Sequence, residues 1–248
     1  MNKRRKFINP YGAFKRNIFN AFHLYGRVFT QKFSKKDVRL MRELYIVYLV
    51  SCLEAYFTEL FKEMYNKKML NRKSILRIKR IKQLKFNFDK LQEMENKNIG
   101  DVLVEYMNFQ NMDYIYDFAK SIEFNKYSQK IRQRLNKEGS DNKKIQESLK
   151  LISKQKDKSL NNLNVSKAMN SVIVEYMVDD KILLNLYSAD KCFNTIALMV
   201  HKRHEIVHKA KEMKIEHSEI WGYTMATFQF VNMFGRIYEF KFKELNKK

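Results

Sequence analysis

Apolar residues recur at three- and four-residue intervals along most of this chain, while the residues that punctuate strands and hairpins are nearly missing. One proline, Pro10, and six glycines serve all 248 positions. That pattern predicts an all-α protein. The longest periodic segment runs from about Val38 to Met64, where Leu44, Val47, Leu49, Leu53, Tyr56, Leu60 and Phe61 mark a wide apolar face, as a central buried helix requires. Further helices are expected over Gly100–Ala119 and Ser121–Leu135, with a polar break at Glu138–Asn142. From Lys143 to about Lys167 the chain is polar and low in aromatics, as in an exposed helix or a mobile insertion. Ala168–Tyr187 is apolar again, and Asp190 is a candidate cap for the helix carrying Cys192, Ile196 and Val200. A last helix, about Ser218 to Leu245, holds Trp221, Phe228, Phe230, Phe234, Tyr238 and Phe242. The expected architecture is an antiparallel helical bundle over 38–248, interrupted by an insertion at about 139–167 and preceded by a basic segment, 1–37.

Charge changes this picture from a helical bundle to a bundle that attracts polyanions. Lys and Arg number 49 against 27 Asp and Glu, a formal charge of +22. RNA, DNA and anionic membrane surfaces are the partners such a balance favours. Codon bias in an AT-rich genome would also enrich Lys, Asn and Ile, but it would raise Glu too, and acids lag bases here. The densest run holds Lys67, Lys68, Arg72, Lys73, Arg77, Lys79, Arg80, Lys82 and Lys85 with no acid among them. Cys52 and Cys192 sit among apolar neighbours and form no metal knuckle or disulfide framework. No signal peptide and no run of about 18 apolar residues is evident, so a cytoplasmic, non-membrane protein is expected.

The candidate chemistry is concentrated in Met199-Val200-His201-Lys202-Arg203-His204-Glu205-Ile206-Val207-His208. Arg203 followed by His208 supplies a fixed cation and a titratable imidazole, sufficient to break a phosphodiester without a metal. His204-Glu205-x-x-His208 spells instead the zinc-protease helix, in which two imidazoles one turn apart bind the metal and the carboxylate acts as base. Lys202, Arg203, Lys209 and Lys211 place cations around that would-be zinc, and Lys211 and Lys214 stand where the extended motif needs Gly and a third His. An acidic third ligand such as Glu239 keeps a zinc hydrolase open as an alternative.

Around these residues the chain resembles the HEPN superfamily, small helical bundles many of which are metal-independent ribonucleases, toxins or defence effectors. The resemblance rests on Arg203-His204-Glu205-Ile206-Val207-His208, similar to the family's Arg, polar, x, x, x, His signature, and on Ser51-Cys52-Leu53-Glu54-Ala55-Tyr56-Phe57, which looks like its first core helix. It covers roughly Val38–Leu70 and Tyr187–Leu245. Some members carry a modifiable Tyr two residues after the motif His; Ala210 stands there, which disfavours that subfamily. A second pair, Arg16 and His23, has a tolerated spacing but is expected to lie before any core helix.

The resemblance implies a metal-independent endoribonuclease without cofactors, acting on RNA and leaving 2′,3′-cyclic phosphate and 5′-hydroxyl ends. His208 would be general base toward the ribose 2′-OH, Arg203 the phosphate clamp, and His204 a phosphate-orienting or solvated side chain. Glu54, set among apolar neighbours, needs a partner, and Arg203 is the candidate. On an ideal helix residues five apart point about 140° from one another. Arg203 and His208 are therefore expected to meet on one phosphate only if the helix ends between them or a second copy contributes, and the resemblance implies a homodimer with a composite site. An antitoxin or other regulatory partner is compatible with it. Lys67, Lys68, Arg72, Lys73, Arg77, Lys79 and Arg80, with Lys3–Lys6, are expected to flank the cleft and track RNA backbone. A non-catalytic RNA- or DNA-binding dimer is the alternative from another functional class.

Overall fold

The computed structural model describes residues 10–27, 33–70, 75, 78, 100, 103–104, 107–137, 187–210 and 212–246. Among them the elements are α1 (Pro10–Arg27), α2 (Lys35–Asn66), α3 (Met112–Ser121), α4 (Phe124–Lys137), α5 (Ala189–Lys209) and α6 (His217–Leu245). No strand occurs among the described residues, and the fold is an all-α bundle. Most of the middle segment, 139–167 included, lies outside them, as do Arg72, Lys73, Arg77, Lys79, Arg80 and Lys3–Lys6.

Local chemistry sets the helix ends. Ser34 caps α2 reciprocally with Asp37: the Asp37 amide donates to the Ser34 hydroxyl, and the Ser34 amide donates to the Asp37 carboxylate. Helix α5 is capped by Ser188, whose Oγ accepts from Lys191 N, and not by Asp190, which falls in the first turn. The helix expected over Gly100–Ala119 is broken at 107–111. Asn108 and Asn111 there offer side-chain oxygens to the amides of Gln110 and Asp113, a local alternative to the helical ladder.

Helix α2 runs alongside α6 in the same direction, since Tyr45 meets Thr224, Tyr56 donates to the Val231 carbonyl and Lys67 donates to Tyr238. Helices α1 and α5 run antiparallel to that pair. Tyr25 meets His217 and Phe14 meets Phe228, while on the other flank Lys202 meets Glu219 and Phe193 meets Phe230. The core between them is aromatic. Phe57 touches Phe109, Phe118, Phe230 and Phe234 at ring-centroid separations of 4.8 to 6.3 Å, mostly edge to face.

Two expectations change. Residues 10–27 are not part of a segment lying outside the bundle: Phe14, Ile18, Phe22 and Tyr25 are buried in the same core as α2 and α6. Their four-residue recurrence lies on one face of α1, a stripe a bundle must cover. Helix α2 is also long and apolar enough, by length and composition, to cross a membrane. Its apolar residues from Tyr45 to Met64 are the centre of the core.

Candidate active site

Arg203, His204 and His208 lie in the last two turns of α5, which stays helical to Lys209. Ala210 ends it in the left-handed region, φ 47° and ψ 33°, its N–H bonded to the Glu205 carbonyl. The following loop is fastened to the start of α2 at three points. Arg39 grips the Glu212 carboxylate with two hydrogen bonds, Glu43 accepts from Met213 N at 2.8 Å, and Arg42 donates to the Ile215 carbonyl at 2.7 Å. Below it, Lys202 on α5 pairs with Glu219 at 2.7 Å, tying α5 to the first turn of α6. The helix end bearing the motif is thus held by two other helices.

Arg203 is half-buried on the side of α5 facing the bundle, and His204 and His208 are exposed. Arg203 Nη1 lies 3.1 Å from His208 Nε2. A guanidinium has only donors, so the contact requires the imidazole nitrogen to accept, leaving its lone pair directed at the cation. The His204 and His208 rings are 4.8 Å apart, tilted by 43°. Helix phase alone places Arg203 and His208 on diverging directions within one chain; they meet because the long arginine side chain spans the offset along the last turns of α5. Among the described residues Arg203 Nε is buried without a hydrogen-bond partner. Substrate phosphate approaching Nη1 would free His208 Nε2 for a proton.

Glu54 does not pair with Arg203. Its carboxylate accepts from the side-chain amide of Gln110, in the loop before α3. Gln110 carried no sequence signal, because a loop amide 56 residues away has no periodicity linking it to α2. Arg42 and Glu43 were equally silent, although Arg39, Arg42 and Glu43 share one face of α2 at i, i+3 and i+4 spacing.

The zinc reading loses its geometry. Glu205 is buried and pairs with Lys209 at 2.6 Å, turned away from the base position that His204-Glu205-x-x-His208 requires. His208 Nε2 faces the Arg203 guanidinium, a contact that a metal would have to displace. Glu239 sits 20 residues along α6 from Glu219, about 30 Å at the helical rise. No group of three or more His, Cys, Asp or Glu suited to a metal occurs among the described residues.

The described part of the basic run does not flank this site. Lys67 pairs with Glu63 at 2.7 Å, donates to the Tyr238 hydroxyl and lies 4.3 Å over the Phe242 ring; Lys68 is exposed beside it. Both stand at the opposite end of the bundle, because Tyr238 follows Glu219 by 19 residues, or about 30 Å of helix. Arg16 is exposed on α1, whose C-terminal end meets α6, so the second Arg/His pair does not precede the core helices as expected.

A buried histidine supports the site from below. The His217 ring stacks on Tyr25 at 5.7 Å and its Nδ1 is 3.0 Å from the tyrosine hydroxyl. Burial, with the charge of Arg42 nearby, lowers its pKa from 6.5 to about 4. The unfolded chain therefore binds this proton first. Stability from neutral His217 is complete above pH 6.5 and is lost as pH falls toward 4, by about 3 kcal/mol in all. Urea midpoints of the protein and of His217→Gln measured from pH 7.5 to 4 should converge at the acid end; parallel curves would contradict this.

Residues 16–239 match the family described as RiboL-PSP-HEPN. The protein is thus of the HEPN class, all-α domains with ribonuclease-type or nucleotide-related functions. Because the match spans most of the chain, the chain belongs to the RiboL-PSP-HEPN family, and membership extends well beyond the two stretches that carried the resemblance in sequence. No curated protein and no solved structure matches the chain.

Proposed function

We propose that this protein is a metal-independent endoribonuclease. The observation that carries the reading is the contact of Arg203 with His208 at the exposed end of a braced helix. RNA phosphate binds Arg203 and draws it from the imidazole; His208 Nε2 then removes the proton of the ribose 2′-OH. The O2′–P bond forms, the P–O5′ bond breaks, and the 5′ oxygen leaves with a proton. A 2′,3′-cyclic phosphate and a 5′-hydroxyl result. Arg203 stabilises the added charge on the pentavalent phosphorus, work for which a planar guanidinium suits better than an ammonium.

In-line displacement needs the proton acceptor and the proton donor on opposite sides of phosphorus. The rings of His204 and His208 touch, so one chain supplies only one side. A second copy supplies the other in this reading. Leu40, Leu44 and Tyr48 support it: they form an outward apolar stripe at four-residue spacing on α2, and Val207 of α5 is exposed as well. Service as a toxin or anti-phage effector is part of the proposal and rests on the family resemblance.

Cleavage of a defined RNA should proceed unchanged in EDTA, with products whose 5′-hydroxyl ends accept a kinase label directly and whose 3′ ends resist ligation until the cyclic phosphate is opened and removed. EDTA-sensitive activity together with one bound zinc per chain would assign the reaction to the histidine metal site instead. Tight RNA binding without any cutting would favour the non-catalytic dimer.

A further inference from the structure

The bundle end remote from Arg203 and His208 carries a basic surface of its own. Helix α4 (Phe124–Lys137) contains Lys126, Lys130, Arg132, Arg134 and Lys137 and no acid. Its apolar residues Phe124, Tyr127 and Ile131 enter the core, which leaves Lys126 and Lys130, one turn apart, exposed to solvent. Lys130 lies 5.6 Å over the Tyr127 ring and 5.9 Å over Phe240; Lys241 of α6 lies 4.9 Å over Tyr127. Of the acids nearby, Glu63 pairs with Lys67 and Glu123 with Lys126 at 2.7 Å, while Glu244 accepts from the Tyr127 hydroxyl and, like Glu123, attracts Lys241 through space without an ion-pair contact. Among the described residues no carboxylate pairs with Lys68, Lys130 or Lys241. From the same end of α2 the chain enters the acid-free basic run that continues to Lys85. Exposed lysines in excess of the acids beside them are a composition that holds single-stranded nucleic acid through its backbone charge.

We infer that this end, formed by α4, the last turns of α6 and the exit of α2, is a second RNA-binding surface that anchors the substrate about 30 Å from the cleavage residues. The choice of RNA among polyanions rests on the proposed ribonuclease reading. Stacked nucleotides advance about 3.4 Å each, so an RNA reaching both places is about nine or more nucleotides long. The surface therefore selects long RNA over short fragments.

Binding of fluorescein-labelled 2′-O-methyl oligonucleotides tests this without any need for cleavage. A strand of about 20 nucleotides should bind at least tenfold more tightly than one of about 4, and Lys126→Gln/Lys130→Gln should erase most of that difference. The same double substitution should reduce the slope of log affinity against log salt by about 1.4, from about 0.7 for each lost phosphate contact. Both positions are exposed, and an unchanged circular dichroism spectrum would show that the variant folds. The inference is overturned if Lys35→Gln/Lys36→Gln, on the opposite end of α2, weakens the long strand equally, or if the α4 variant binds like the parent. Loss of binding to phosphatidylserine vesicles with RNA binding intact would assign the surface to a membrane. If the protein cuts no RNA yet shows this length and position dependence, the surface stands and the catalytic reading falls.

Discussion

His208→Ala is expected to slow RNA cleavage by about a thousandfold at saturating substrate, within the range lost when a positioned general base is removed. Arg203→Ala should cost on the order of a hundred- to a thousandfold, since a donor aimed at developing charge is lost in a partly water-excluded site. The two effects should not add, because each residue works through the other's contact. Neither substitution should unfold the protein: His208 is exposed, Arg203 is half-buried, and the braces on this end run through Lys202, Arg39, Arg42 and Glu43. Single-turnover rates beside circular dichroism spectra check both. Activity near the parent's in either variant would show that the site is assigned to the wrong residues.

A comparable loss is expected at a position that touches no substrate. Leu44 is 54% exposed between Leu40 and Tyr48 on the outer face of α2. Leu44→Glu should yield a monomer by light scattering, because a charge in the middle of an apolar stripe must be desolvated when two copies meet. Its thermal midpoint should scarcely move if the monomer is compared with dissociated parent, as expected for a surface substitution. Cleavage should fall about a hundredfold or more, since a lone protomer holds both imidazoles on one side of the phosphate. A monomer that cuts at the parent rate would place the proton donor within one chain.

What the sequence made legible was whatever periodicity encodes. Helix α2, expected over Val38–Met64, is observed over Lys35–Asn66, and α6, expected from Ser218, begins at His217. Long apolar faces repeat often enough to be read in one dimension. Helix α1 carries the same four-residue recurrence in Phe14, Ile18 and Phe22, but its flanking lysines and arginines made it read as a basic segment outside the bundle. The motif was legible because Arg203, His204 and His208 are close in sequence. Its braces were not. Glu43 with Met213 and Arg42 with Ile215 join residues 170 and 173 positions apart, and the Glu54–Gln110 contact away from the motif spans 56; such pairings have no local signature. The reach of Arg203 to His208 was also hidden, since Cβ directions on an ideal helix ignore how far an arginine side chain extends along the axis.

In the proposed reaction the substrate's own 2′-hydroxyl is the nucleophile, activated by His208. A defined RNA of about 20 nucleotides, cut at a mapped position, can be compared with the same strand carrying one 2′-deoxy nucleotide immediately 5′ to that bond. Both strands should bind nearly equally, with no cleavage at the substituted position and unchanged cutting at any other mapped site. Efficient cutting at the deoxy position would contradict this mechanism, because no O2′ would then be present to attack phosphorus.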